Sequence, residues 1–168
     1  MQIKCWSWLA AGLLTFATVA RAGDTDSRLG VGANYWVTID NLDANNVDDH
    51  GFSFLGSYQY WPSLVGLELD FEVLPDRFGE DAYAPEAYVL VGGMLYVAGG
   101  VGIIYQNSDW AQDPFYAIRA GLNLELLPSF FLDINANYRF NDTTQFKDNS
   151  TDIDTDTVFI GAAARLGF

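Results

Sequence analysis

"VGLELDFEV", residues 65–73, reads with a period of two. Val65, Leu67, Leu69, Phe71 and Val73 share one side of an extended chain, and Glu68, Asp70 and Glu72 share the other. Successive side chains of a strand point to opposite faces, so this alternation predicts a β-strand with one apolar and one charged face. Seven further runs carry the pattern, beginning with "RLGVGANYWVTI" and "GFSFLGSYQY" and ending with "FFLDINANYRF" and "TVFIGAAARLGF". "FYAIRAGLNLEL" sets Arg119, Asn123 and Glu125 on its polar face, while "PEAYVLVG" and "LYVAGGVGIIYQ" are apolar or glycine on both faces.

The connections between the eight runs alternate in length. Trp61-Pro62-Ser63, Gly92-Gly93 and Leu127-Pro128-Ser129 are short. The segments 40–50, 75–84, 107–113 and 141–156 are long and hold 14 of the 22 acidic residues. An even number of alternating strands, with short turns at one end and long polar loops at the other, is the pattern of a transmembrane β-barrel. "AYVLVGGMLYVAGGVGIIY", 87–105, is 19 residues without a charge and imitates a membrane helix, but five of them are glycine. Each glycine costs on the order of 1 kcal/mol against alanine in a helix, and the Gly92-Gly93 pair suits a tight turn between two strands.

Alternation also fits a soluble barrel with its apolar face inward, and side-chain size decides between the two. Tyr35, Phe52, Phe54, Tyr58, Tyr60, Phe71 and Tyr138 lie on the apolar faces, while Gly30, Gly32, Ser53, Ser57, Ala98, Gly100, Ala117, Gly121 and Ala163 share the faces of the charges. Eight strands enclose only a narrow interior, so the small and charged faces are expected inside and the large apolar faces outside, against lipid. Tyr35, Tyr60, Trp61, Tyr105, Trp110, Tyr116 and Tyr138 stand near strand ends, where aromatic belts form. The expected fold is an all-β, eight-stranded, antiparallel up-and-down barrel.

The first residues read as a targeting segment. Lys4 precedes the apolar run "WSWLAAGLLTFATV", and Ala20 and Ala22 supply the small residues of a cleavage site. A signal peptide over 1–22 and a barrel over 23–168 follow, leaving six basic against 22 acidic residues and a charge of −16. That balance excludes nucleic acid as a partner. The only cysteine, Cys5, falls in the removed segment, so no disulfide is expected.

The eight alternating runs, the short turns, the long acidic loops and the last strand ending in Phe168 resemble the small outer-membrane barrels of Gram-negative bacteria, of the type of OmpX and the transmembrane domain of outer membrane protein A. The resemblance implies an outer-membrane location and contact with lipid and lipopolysaccharide. It also implies a monomer, with Phe168 forming part of what the barrel assembly machinery recognises.

By parity Glu68, Asp70, Glu72, Glu86, Arg119, Glu125, Asp133, Arg139 and Arg165 face inward, six acids against three arginines. They are expected to form a hydrogen-bonded plug or to line a narrow water path, and Asp133 and Arg165 lie at matching depth. Leu55, Leu90, Ile104, Phe115, Phe131 and Phe159 also face inward and would suit a small hydrophobic ligand. His50, the only histidine, ends the first long loop three residues before Ser53. A serine–histidine pair would suit a lipid A-modifying enzyme, but a loop histidine among aspartates more often is only solvated. In "FKDNSTDIDTD" the residues Asp148, Asp152, Asp154 and Asp156 share one parity, an arrangement of oxygens suited to a weak Ca²⁺ site or to an acidic solvated loop. No cofactor and no enzyme activity are expected. The leading reading is a structural or surface-binding barrel, with a narrow channel as the alternative.

Overall fold

The alternating runs pair into one closed antiparallel barrel in a computed structural model, which describes residues 26–39, 50–77, 80–106, 108–140 and 156–168. The strands are β1 (Ser27–Thr38), β2 (His50–Tyr60), β3 (Val65–Arg77), β4 (Glu80–Gly92), β5 (Leu95–Gly102), β6 (Tyr105–Gln106), β7 (Asp109–Trp110), β8 (Phe115–Leu127), β9 (Phe130–Phe140) and β10 (Thr157–Gly167). β5 and β6 are two parts of one barrel strand, and β7 and β8 are two parts of the next, so eight strands run around the wall. Each pairs with its sequence neighbour, and β1 closes on β10 over the register Arg28↔Gly167 to Thr38↔Thr157. Closure pairs each long wall strand on both sides, and the short β7 ends the order with β6 as its partner.

Proline explains why β5 and β6 are separate. The Pro85 carbonyl accepts the Ile103 N–H at 3.2 Å, but Pro85 has no N–H to return, and the ladder breaks at Ile103–Ile104. Pairing resumes at Tyr83↔Tyr105, and β6 turns into β7 as a small hairpin.

Two of the four long connections are therefore shorter than the sequence suggests. The expected loop at 75–84 is mostly ladder: Leu74 pairs with Ala82 and Arg77 with Glu80, across a bulge where Asp76 takes a positive φ of 52°. The expected loop at 107–113 contains β7. Polar composition hid both, because strands that project beyond an apolar wall need no apolar face. The segment 1–22, expected to be a signal peptide, lies outside the described residues.

The two faces divide as their sizes require. Phe52 (63% exposed), Leu67 (55%) and Leu69 (59%) typify an outer wall of large apolar groups. A wall of that extent is unfavourable in water, since each such side chain gains roughly 1.5–3 kcal/mol on leaving it. Inside, aromatic rings lie over glycines of the adjacent strand. A Cβ on Gly66 would stand 2.7 Å from the Trp61 ring, and one on Gly51 would stand 2.8 Å from the Trp36 ring. Gly100 beneath Tyr88, Gly102 beneath Phe115 and Gly121 beneath Tyr96 repeat the arrangement. The missing side chains are the space that the rings fill.

Candidate functional site

The inward charges meet in two linked clusters across the middle of the barrel. In the first, Glu68 of β3 takes Arg119 of β8 at 2.8 Å and Arg165 of β10 at 2.9 Å on the same oxygen, Oε1. Gln59 donates to its other oxygen at 2.5 Å. Arg119 also reaches Asp70 at 2.8 Å, and Arg165 Nη1 lies 3.1 Å from Asp133 Oδ2. Asp133 accepts from Asn135 at 2.7 Å and from the Tyr96 hydroxyl at 3.1 Å. These groups come from strands far apart in sequence; the apolar outer face fixes which side of each strand they occupy, and the strand registers bring them to one level.

The second cluster is built on Arg139 of β9. Its Nη2 contacts both Glu72 and Glu86, the latter at 2.6 Å. Asn34 and Ser53 donate to Glu72 at 2.6 and 2.5 Å. The Tyr88 hydroxyl donates to Glu86 and accepts from Asn137 at 2.8 Å. Tyr88 also joins the clusters, because its ring lies 3.8 Å from the Arg119 guanidinium. Such pairs hold in a low-dielectric interior when the remaining oxygens and N–H groups find partners; the amide and hydroxyl groups supply some of them, while Asp70 Oδ1 and Arg119 Nε have none within the protein.

Aromatic layers cover the clusters on both sides. Toward the long loops, Trp36, Leu74, Ile104, Phe115 and Phe159 pack together, with Arg139 3.9 Å from the Phe159 ring and Arg77 5.6 Å from Trp36. Toward the short turns, Trp61, Tyr88, Leu90 and Tyr96 pack together, with Trp61 edge-on to Tyr96 at 5.5 Å. Arg28 stacks 3.8 Å from Phe131 and 5.5 Å from Trp61, beside an open vestibule of about 530 Å³ at the short-turn mouth.

No protein-family model and no curated protein matches the sequence. Solved structures do. The chain is similar to Neisserial surface protein A, with a TM-score of 0.64 and 13% identity over 87% of this chain and 99% of that one. It is also similar to the outer membrane protein AlkL, solved in DMPC lipid bilayers, with a TM-score of 0.53 and 15% identity over 88% of this chain and 93% of that one. The fold is that of the small outer-membrane β-barrels.

Within this outer-membrane-barrel fold, eight of the nine predicted interior charges are buried: Glu68, Asp70, Glu72, Glu86, Arg119, Asp133, Arg139 and Arg165. Glu125 is not. It stands exposed at the short-turn mouth, where β8 shifts register before Leu127, and its carboxylate accepts the Ser129 N–H at 3.3 Å. Two arginines that the parity reading left out take its place. Arg77 is fully buried at the long-loop end and Arg28 half-buried at the other. The expected excess of carboxylates therefore shrinks, with five buried acids and Glu125 at the mouth against five arginines.

Other expectations change as well. Trp61, assigned to an interfacial belt, is only 5% exposed and fills the lumen, while Tyr35, Tyr60, Trp110 and Tyr116 do stand on the outer wall. His50 begins β2 rather than ending a loop, and its ring lies 6.0 Å from that of Tyr35 on the outside. Ser53 points inward to Glu72. Three residues apart on a strand means opposite faces, so the serine–histidine pair is not formed. Asp148, Asp152 and Asp154 lie outside the described residues; Asp156 accepts from the Tyr138 hydroxyl at 2.6 Å. No group of three or more metal-ligating side chains occurs among the described residues. Leu55, Leu90, Ile104, Phe115, Phe131 and Phe159 are all buried inside. Phe168 is 44% exposed, and its N–H bonds the Ser27 carbonyl at 2.9 Å across the closing seam.

Proposed function

We propose that this protein is a non-conducting barrel of the bacterial outer membrane that acts through an anionic surface at its long-loop end. The observation that carries the reading is the placement of cations. All five arginines of the described residues face the lumen, where Arg119, Arg139 and Arg165 pair with five buried carboxylates. In the sequence, the segments 40–50, 75–84, 107–113 and 141–156 then hold 14 acids with Arg77 and Lys147 as the only basic residues, and Arg77 is spent inside. A surface of one sign steers partners of the other, so a cationic protein or a divalent-cation-bridged lipopolysaccharide suits this end. The role is structural or binding, and no catalytic group is assigned. The exposure of Phe168 on the outer wall at the seam supports recognition of this strand by assembly machinery.

A narrow channel has one observation in its favour. Gln59 Oε1, Asp70 Oδ1, Arg119 Nε and Asn123 Oδ1 are buried without protein partners, which suits water entering from the vestibule. Planar-bilayer recording of refolded residues 23–168 separates the readings. A silent protein that still migrates differently before and after boiling supports the closed barrel. Discrete conductances that change in Arg139 or Glu72 variants overturn it in favour of the channel.

A further inference from the structure

The outer wall is not uniform. Across β2 to β5 it sinks into an apolar groove of about 620 Å³. Tyr58, Tyr60, Leu67 and Leu69 raise one side, and Val89 and Val101 raise the other. Ala87 and Gly99 form the low points, and a Cβ on Gly99 would meet nothing within 4 Å. The register explains the shape: Leu69 pairs with Ala87 and Ala87 with Val101, while Leu67 pairs with Val89 and Val89 with Gly99. Each row drops at a different strand, which leaves a diagonal trough.

We propose that this groove holds one acyl chain of a phospholipid from the leaflet on the short-turn side. The assignment rests on the membrane location proposed above. An apolar trough facing hydrocarbon loses dispersion contacts along its whole length if nothing enters it, and an acyl chain seated there is touched on three sides rather than one. Position selects the leaflet. Tyr60 ends β2 and Leu67 is the third residue of β3, so the trough starts beside the short turn at 61–64. Its rim there is amphipathic: the Tyr58 hydroxyl lies 3.3 Å from Ser27 Oγ, giving a headgroup polar atoms at the level where tyrosines anchor.

Native mass spectrometry tests the site. Residues 23–168, refolded into vesicles of phosphatidylethanolamine and phosphatidylglycerol and extracted into mild detergent, should retain one phospholipid. Gly99→Phe and Ala87→Phe fill the trough and should lower retention about tenfold, the equivalent of roughly two methylenes of lost burial. Ala162→Phe, on the outer face of β10 across the barrel, should retain lipid as the parent does. Equal retention by all four proteins, or none by a parent that has inserted, overturns the groove. Retention of lipid A instead of phospholipid from vesicles holding both overturns the choice of leaflet. A parent that shows no heat-modifiable band in vesicles has not inserted, and that result removes the membrane reading itself.

Discussion

Replacing Arg139 with methionine should destabilise the barrel more than any single change on its outer wall. The guanidinium contacts Glu72 and Glu86 through one nitrogen and lies between the rings of Phe159 and Phe115, at 3.9 and 4.8 Å. Methionine keeps much of the packing volume and removes the charge. Two carboxylates held against one nitrogen are about 5 Å apart, and at an effective dielectric near 20 they repel by roughly 3 kcal/mol. Removing one partner of a buried ion pair costs about 3–5 kcal/mol in general, so the two estimates agree. Glu72 keeps Asn34 and Ser53 as donors, and Glu86 keeps Tyr88, which holds the loss toward the lower figure. Urea unfolding of the refolded chain in phospholipid vesicles, followed by tryptophan fluorescence, measures it. Trp36 packs in the aromatic layer above Arg139 and should report the change. Adding Glu86→Gln to Arg139→Met removes the repulsion and should restore a large part of the stability. A single variant within about 1 kcal/mol of the parent, or a double variant no better than the single, would refute the reasoning.

Adjacent glycines on β5 should behave oppositely. Gly100→Ala pushes a methyl into the Tyr88 ring and should cost roughly 1–3 kcal/mol, whereas Gly99→Ala points into open space and should change unfolding by less than about 0.5 kcal/mol. His50→Ala removes an exposed ring from the outer wall and should leave both stability and the lipid A mass spectrum of expressing cells unchanged; a new or missing lipid A species would reopen the enzymatic reading. Trp110 is 52% exposed, while Trp36 and Trp61 are buried at 1% and 5%, so Trp110→Phe should abolish most acrylamide quenching of residues 23–168. Strong residual quenching would show that the aromatic layers inside the barrel open to solvent.

Parity made the wall legible from sequence, and its failures have local causes. The run 65–73 placed Glu68, Asp70 and Glu72 inside because nothing interrupts the strand there. Arg77 was hidden by the bulge at Asp76, which reverses the inward set from even to odd numbers. The tendency of tryptophan to sit in interfaces points Trp61 outward, but its position two residues after inward Gln59 carries it into the lumen. Arg28 opens its run on the inward parity, but Gly30, Gly32 and Asn34 follow it there and no second charge marks that face. The ion pairs themselves depend on the shear of the barrel, which alternation does not specify. Matching depth on neighbouring strands points to Asp133 with Arg165, which do meet at 3.1 Å, but the partners of Arg119 and Arg139 follow only from the registers of β3, β8, β9 and β10.

The seam between β1 and β10 carries a consequence for engineering. Ser27 and Phe168 are hydrogen-bonded neighbours at the same end of the barrel, although nearly the whole chain lies between them. A short flexible linker joining the two, with new termini opened between Phe140 and Asp156, would turn the seam into an ordinary hairpin and change no pairing in the wall. Such a circular permutant would start its chain with β10. It would therefore test whether the order in which the strands leave the ribosome matters to a ring whose finished geometry has no first member.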